Sequence, residues 1–436
     1  MARKIDVSKG IYNAPEQLGW PRTFVLGFQH MFAMFGATVL VPILTGLSIS
    51  VTLCCAGVGT LLFHFITKRK VPAFLGSSFA FLGGFAIVAP KIVQADGTEI
   101  ANAEMLPYAC GGVVIAGLIY LVLSGLITAF GVKRVMKLFP PVVTGPIIIL
   151  IGLILAPSAV SNVQTCWWLG VITMAIIIGC AVFGKGMINI IPILLGVVGG
   201  YLIGAITGQV HLSQAAIFGV PNFVIAKFDA SAILTMAPIA LATMMEHVGD
   251  ISAIGATCHK NFIANPGLNR TLLGDGLATS LAGLVGGPAN TTYGENTGVL
   301  ALSKVYDPLV IEIAACLAVI LSFFPIVESV ISAMPSAVIG GASFILYGMI
   351  SAIGVRNMVE NSVDLTKQRN LMIAAIILVS GLGINGMGGL QLGPVNLSGL
   401  ACAAIFGIIL NAVLPGKDYE FSMEELEQRP ADEILK

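Results

Sequence analysis

Fourteen apolar runs separated by short polar breaks leave this 436-residue chain almost no way to fold in water. One helical crossing of a bilayer takes about 20 mostly apolar residues. The runs lie near residues 24–45, 49–66, 73–90, 107–131, 141–156, 167–184, 187–207, 231–250, 271–287, 291–305, 309–326, 331–353, 370–386 and 395–414. Mean hydropathy is +0.94 and only 10 % of residues are charged. An all-α polytopic membrane protein with fourteen transmembrane segments is the reading. No soluble domain fits, because the longest polar stretch is the tail at 417–436. Residues 1–21 have no apolar core ahead of a small-residue cleavage site, so a cleaved signal peptide is not expected and the first run is the insertion signal.

Formal net charge is zero, so the total says nothing about partners, but its placement does. With the N-terminus in the cytoplasm and fourteen alternating crossings, every Lys and Arg except Lys91 and Lys227 falls inside, 20 of 22. Lys68-Arg69-Lys70, Lys133-Arg134-Lys137 and the Arg356/Lys367/Arg369 group are all cytoplasmic in that arrangement. This is the positive-inside asymmetry, and it predicts a multi-pass protein of the cytoplasmic membrane with both termini inside. The eight cysteines are scattered with no Cys-x-x-Cys pair and read as small buried hydrophobes.

The chain also repeats itself. Gln29-His30 recurs as Glu246-His247 at an offset of 217, and Gly36-Ala37-Thr38 as Gly255-Ala256-Thr257 at 219. Leu75-Gly-Ser-Ser-Phe-Ala-Phe81 aligns near Asn290-Thr-Thr-Tyr-Gly-Glu-Asn296 at close to 216, and Phe79 and Tyr293 read as the matching aromatics of the two segments. Seven crossings per half is an odd number, so the copies run in opposite directions, a 7+7 inverted repeat of the kind secondary transporters use. Spans 3 and 10 follow Pro72 and Pro288 and are rich in Gly, Ser, Thr and Asn. Short extended segments are expected there, each passing into a half-helix. Unwound backbone at membrane depth survives only where protein or a cavity satisfies it, and free helix-start amides there face a ligand.

Three carboxylates, Glu246, Asp250 and Glu295, stand inside these apolar runs. An acid at membrane depth costs at least about 2.5–3.5 kcal/mol, so such residues mark binding or proton-transfer sites. Glu246 and Asp250 are four apart and share one helix face. Two like charges that close in a low dielectric cannot both ionise cheaply, which suits a proton-coupled site. Plainer readings stand beside these: Asp250 solvated at the cytoplasmic helix end, Glu295 as a cap of the half-helix, His30 and His247 as packing glue. Asp275, Glu312 and Glu328 read as membrane-edge residues near loops. Two acidic acceptors, amide donors and the rings of Phe79, Tyr293 and Tyr347 together fit a small, flat, uncharged ring with alternating N–H and C=O groups. A nucleobase such as uracil has that edge, and a site with such partners discriminates strongly.

Gln29-His30…Gly36-Ala37-Thr38, Leu75–Phe81, Glu246-His247-Val-Gly and Pro288-Ala-Asn-Thr-Thr-Tyr-Gly-Glu-Asn296 resemble the nucleobase–ascorbate transporter family, also called nucleobase–cation symporter family 2, along essentially the whole chain. The last motif resembles the uracil permease branch, since xanthine and urate members typically carry Gln in place of Glu295. The resemblance implies a core domain of spans 1–4 and 8–11 (residues 1–139 and 229–328) and a gate domain of spans 5–7 and 12–14 (140–228 and 329–416), with 417–436 as a cytoplasmic tail. It implies that Glu246 and Glu295 bind ring N–H groups and that the amides of Phe79 and Gly294 bind the carbonyls. Ala37, Tyr293 and Tyr347 pack on the ring, with Ser78 and Asn296 behind. Relatives also suggest a homodimer.

Asp250 stands where some uracil permeases have His and purine-transporting relatives have Asp. Uracil–proton symport is therefore the function expected, with a xanthine or uric acid symporter as the alternative and an anion exchanger of the same architecture further off, since an acidic pocket repels anions. Glu295, Asp250, Glu246 and His30 are the proton-coupling candidates, although carboxylates with free carbonyls also coordinate Na⁺. Neither a cofactor, a metal nor a nucleic-acid partner is called for. No His-Glu-x-x-His cluster and no Gly-x-Ser-x-Gly elbow points to an enzyme.

Overall fold

The computed structural model describes residues 10–94, 99–212, 214–393 and 395–416; the expected tail at 417–436 lies outside them. Helices α1 (Trp20–Thr45) and α2 (Ile49–Ile66) are followed by strand β1 (Leu75–Ser77), a 3₁₀ turn at Phe79–Phe81 and the short α3 (Leu82–Val88). Then come α4 (Leu106–Phe130), α5 (Pro141–Gln164), α6 (Trp167–Phe183) and α7 (Pro192–Ile206). Helix α8 (Ala230–Thr257) is interrupted by a 3₁₀ turn at Ala237–Ile239, where Pro238 removes a backbone donor. The chain continues through α9 (Leu268–Leu284), strand β2 (Asn290–Thr292), α10 (Gly294–Ser303) and α11 (Pro308–Ser322). It ends in α12 (Ser336–Glu360), α13 (Gln368–Gly386) and α14 (Gly399–Val413).

Each of the fourteen apolar runs contains one of these helices. Among the described residues, seven helices are long and apolar enough to cross a bilayer, eight if Pro308–Ser322 and Pro325–Ser332, bent by 85°, form one crossing. The others are cut short by prolines, glycines and the two strands. Large apolar side chains such as Phe65, Phe183 and Ile206 are more than 80 % exposed, a surface made for hydrocarbon rather than water.

Packing partners fall into two sets. Helix α4 lies along α9, α2 along both α9 and α11, and α1 along α11. In the other set α5 lies along α12, α6 and α7 pack on each other and on α12, and α13 and α14 pack together against α5.

The predicted extended segments of spans 3 and 10 are strands, and they pair with each other. β1 and β2 are antiparallel, with Leu75 opposite Thr292, Gly76 opposite Thr291 and Ser77 opposite Asn290; all six residues are buried. The pair continues one step each way, since the Ser78 N–H donates to Ala289 O (2.8 Å) and the Tyr293 N–H to Phe74 O (3.0 Å). These two bonds interchange when 215 is added to the first strand's numbers. Neighbouring helices satisfy the outer edges: the Leu75 N–H donates to Thr60 Oγ1 (2.9 Å) and Thr279 Oγ1 donates to Asn290 O (2.9 Å). Buried strand edges are thereby paired without water, as membrane depth requires.

Tyr293 pairs with Phe74 in this ladder, and Phe79 lies just past the end of β1. The Tyr293 ring lies over Gly76, where any β-carbon would collide with it, and its hydroxyl donates to Ser77 O (2.9 Å). Three further acids have partners the sequence does not reveal. Asp275 is fully buried midway along α9, and Glu312, one turn into α11, is buried against Arg69 (2.8 Å) and His64 Nδ1 (3.3 Å). Glu328 accepts from Ser48 Oγ (3.1 Å) and the Ile49 N–H (3.0 Å), holding the start of α2. Their partners come from elements far away in the chain.

Candidate binding site

A cavity of about 50 Å³ lies beside the strand pair. One wall is α8, which presents Glu246 and Asp250 on the same face. A second is β2 with the start of α10, which brings Thr291, Thr292, Tyr293, Gly294 and Glu295. Phe79 closes one end, and Ile148 of α5 with Ile350 and Ile353 of α12 make an apolar cover from the other helix set. The sequence-predicted acids thus converge on one small volume.

The local sequence explains the placement. Gly294 and Glu295 open α10, while Phe79 opens the helical turn after β1, so their first-turn amides have no intrahelical acceptors. Glu295 in a first turn also sits favourably against the helix dipole. Glu246 carries a buried Oε2 with no hydrogen-bond partner, an acceptor aimed at nothing the protein itself supplies. Such an orphan costs free energy unless a ligand meets it. Asp250 accepts from Thr292 Oγ1 at 2.9 Å. It is not at a helix end, because α8 runs on to Thr257.

Asp250, Ile148 and Ile353 also border a larger cavity of about 490 Å³. Its rim holds the exposed His259, Lys260, Arg356 and Glu360. Asp250 therefore stands where the inner and outer volumes meet.

Other expected residues take supporting positions. Tyr347 is buried and does not border the small cavity; its ring meets Phe79 edge-on at 5.8 Å and 75°. Ala37, Ser78, Asn296 and His30 are buried behind the site, and Asn296 Nδ2 lies 3.1 Å from His30 Nδ1 and donates to His30 O at 3.1 Å. Sequence reasoning missed Thr292 as the partner of Asp250 and missed Ile148, Ile350 and Ile353. Thr292 lies inside a motif already singled out, and its hydroxyl is the signal that was available. The isoleucines sit in uniformly apolar helices and carry none.

The sequence matches the model described as Permease family (Xan_ur_permease) over residues 21–387. It is 40 % identical over 434 residues to the uracil permease of Bacillus subtilis (strain 168), covering 94 % of this chain and 96 % of that one. It is 41 % identical over 410 residues to the uracil permease of Bacillus caldolyticus (90 % and 92 % covered) and 37 % over 406 residues to that of Escherichia coli K12 (90 % and 91 %). Among solved structures the fold is similar to SLC26A9, with TM-score 0.69 at 12 % identity, covering 92 % of this chain and 66 % of that one. It is also similar to the transmembrane domain of the cyanobacterium bicarbonate transporter BicA, with TM-score 0.62 at 17 % identity (87 % and 98 % covered). With a family match spanning most of its length and relatives near 40 % identity, this chain belongs to the permease family and is a multi-pass membrane transporter, not an enzyme.

Proposed function

We propose that this protein imports uracil across the cytoplasmic membrane as a proton-coupled symporter. The observation that carries the reading is the convergence of Glu246 and Glu295, from two different elements, on one cavity beside paired strands with free helix-start amides. Uracil offers two N–H groups to the carboxylates and two C=O groups to the amides of Phe79 and Gly294. Phe79 and the isoleucine cover exclude water from the ring, with Tyr293 and Tyr347 buttressing it and Ala37, Ser78 and Asn296 packed behind. The names of the three permease relatives support the same substrate.

Transport would proceed by alternating access. The two packing sets support a core of spans 1–4 and 8–11 and a gate of spans 5–7 and 12–14, and the interchanging strand bonds support a 7+7 inverted repeat with fourteen crossings. With both termini cytoplasmic, as the basic clusters favour, the 490 Å³ cavity is the cytoplasmic approach to the site. Protons are carried by the acid cluster of Glu246, Asp250 and Glu295, with His30 behind it. A homodimer in the lipid bilayer is the assembly we favour.

Reconstituted protein should accumulate labelled uracil when a pH gradient is imposed. Collapse of the gradient should stop accumulation, and removal of Na⁺ should not. Uptake indifferent to excess unlabelled uracil refutes the substrate. Asp250 favours one second reading, a xanthine or uric acid symporter, and competition by those purines in the same assay separates the two.

A further inference from the structure

Helix α9 borders neither cavity, yet it contributes Asp275 to a fully buried ionisable pair with His247 of α8 that the binding site does not use. His247 Nδ1 lies 2.8 Å from Asp275 Oδ2, and both side chains are completely shielded from solvent. Phe63 covers the imidazole edge-on at 6.3 Å; neither ring nitrogen of His247 and neither oxygen of Asp275 meets hydrogen-bond geometry, so the 2.8 Å approach is a close polar contact of two otherwise unpartnered groups. His247 directly follows Glu246, so the two side chains leave α8 about 100° apart. One points to the cavity and the other to α9.

Four residues beyond Asp275, on the same face of α9, Thr279 donates to Asn290 O at 2.9 Å and so holds strand β2. β2 leads directly into Gly294 and Glu295. One face of α9 therefore grips both acid-bearing walls, α8 through Asp275 and β2 through Thr279. The helix is itself anchored: Ser124 Oγ donates to Asn269 O (2.7 Å), Ser280 Oγ donates to Val114 O (2.9 Å), and α9 packs along α2 and α4.

We propose that Asp275 and Thr279 are positioning residues that set the facing of Glu246 and Glu295, with the His247–Asp275 contact fixing the rotation of α8. Neither touches the ligand. The geometry makes the placement sensitive: a 10° turn of α8 swings a carboxylate held about 7 Å from the helix axis through roughly 1 Å, beyond the tolerance of about 0.5 Å for a productive site. The inference rests on the uracil reading, which wild-type binding tests separately; the ratio of each variant to wild type tests the positioning role.

The test is uracil affinity of detergent-purified protein, with KM and maximal rate of uptake in proteoliposomes normalised to folded transporter. The double variant His247→Leu/Asp275→Leu replaces both polar partners with apolar groups, so it removes the contact without leaving a lone buried charge. It should remain monodisperse, bind uracil at least 10-fold more weakly and raise KM more than it lowers the maximal rate. Asp275→Asn keeps an acceptor for His247 and should stay within 3-fold of wild type. Double-variant binding within 2-fold of wild type overturns the proposal, as does an Asp275→Asn loss equal to that of the double variant. Should the double variant fail to fold, Thr279→Val, nearly isosteric and lacking the donor to Asn290, decides: a 3- to 10-fold weaker affinity supports the role, and unchanged affinity overturns it.

Discussion

Glu246→Gln separates the two things a buried carboxylate can do, because its effects on stability and on binding have opposite signs. In the ligand-free protein Glu246 has one buried oxygen with no hydrogen-bond partner and faces two further acids, Asp250 on its own helix and Glu295 across the cavity. Glutamine keeps the shape, removes the like charge and relieves the crowding, so thermal stability without ligand should stay equal or rise. Binding should suffer. A hydrogen bond to a charged acceptor is worth about 1.5–3 kcal/mol, which converts to roughly 10- to 150-fold in uracil affinity. Melting curves of purified protein with and without uracil read both quantities in one series, and a titration gives the dissociation constant. Affinity within 2-fold of wild type would refute a role for Glu246 as ring acceptor. Stability falling in step with affinity would refute the claim that the free carboxylate is under strain from its neighbours.

Thr292→Val removes the hydroxyl that donates to Asp250 at 2.9 Å without changing side-chain shape much, and should lower uracil uptake several-fold with protein yield preserved; unchanged uptake across pH 5–8 would show that the contact is idle. Gly76→Ala drives a β-carbon into the Tyr293 ring, and overpacking of this kind costs about 1–3 kcal/mol, read as a lower melting temperature and weaker uracil binding together. Glu312→Leu leaves Arg69 and the buried His64 without their carboxylate partner, so stability should fall by about 1–3 kcal/mol. Uptake per folded transporter should hold in that variant, because Glu312 does not border either cavity at the site; a fall in specific uptake would contradict that separation.

The parts of the fold legible beforehand are those written in local composition. Apolar runs locate the helices, and Pro72 and Pro288 followed by small polar residues locate the unwound segments, because a proline and short hydroxylated side chains disfavour a continuing helix. The rarity of acids at membrane depth picks out Glu246, Asp250 and Glu295. What escapes is information held between distant segments. The strand register turns on hydrogen bonds between Ser78 and Ala289 and between Tyr293 and Phe74, and nothing in the sequence places the Tyr293 ring over Gly76. Asp275 resembles any acid beside a polar break until α8 brings His247 to within 2.8 Å. The cover of Ile148, Ile350 and Ile353 is equally hidden, since apolar residues facing a cavity and apolar residues facing lipid are spelled the same way.

The likeness to BicA and SLC26A9 is one of fold alone, so the proposed uracil selectivity rests on the charge of the pocket. One architecture serves a bicarbonate transporter in BicA, and folds host unrelated functions through the chemistry grafted on them. Here the side chains around the small cavity include three acids and not one Lys or Arg. An anion entering that volume would meet repulsion from every ionisable group lining it, while a neutral ring bearing N–H donors gains a partner from each. In the proposed binding mode the helix-start amides beside the paired strands receive carbonyl oxygens on the opposite edge of the same ring. A ligand that satisfies both sets must alternate donors and acceptors around a flat perimeter. Exchanging Glu246 and Glu295 together for glutamine should therefore abolish uracil binding without creating bicarbonate transport, since removing repulsion supplies no positive charge. Bicarbonate flux in that double variant would mean that the backbone amides alone select the cargo.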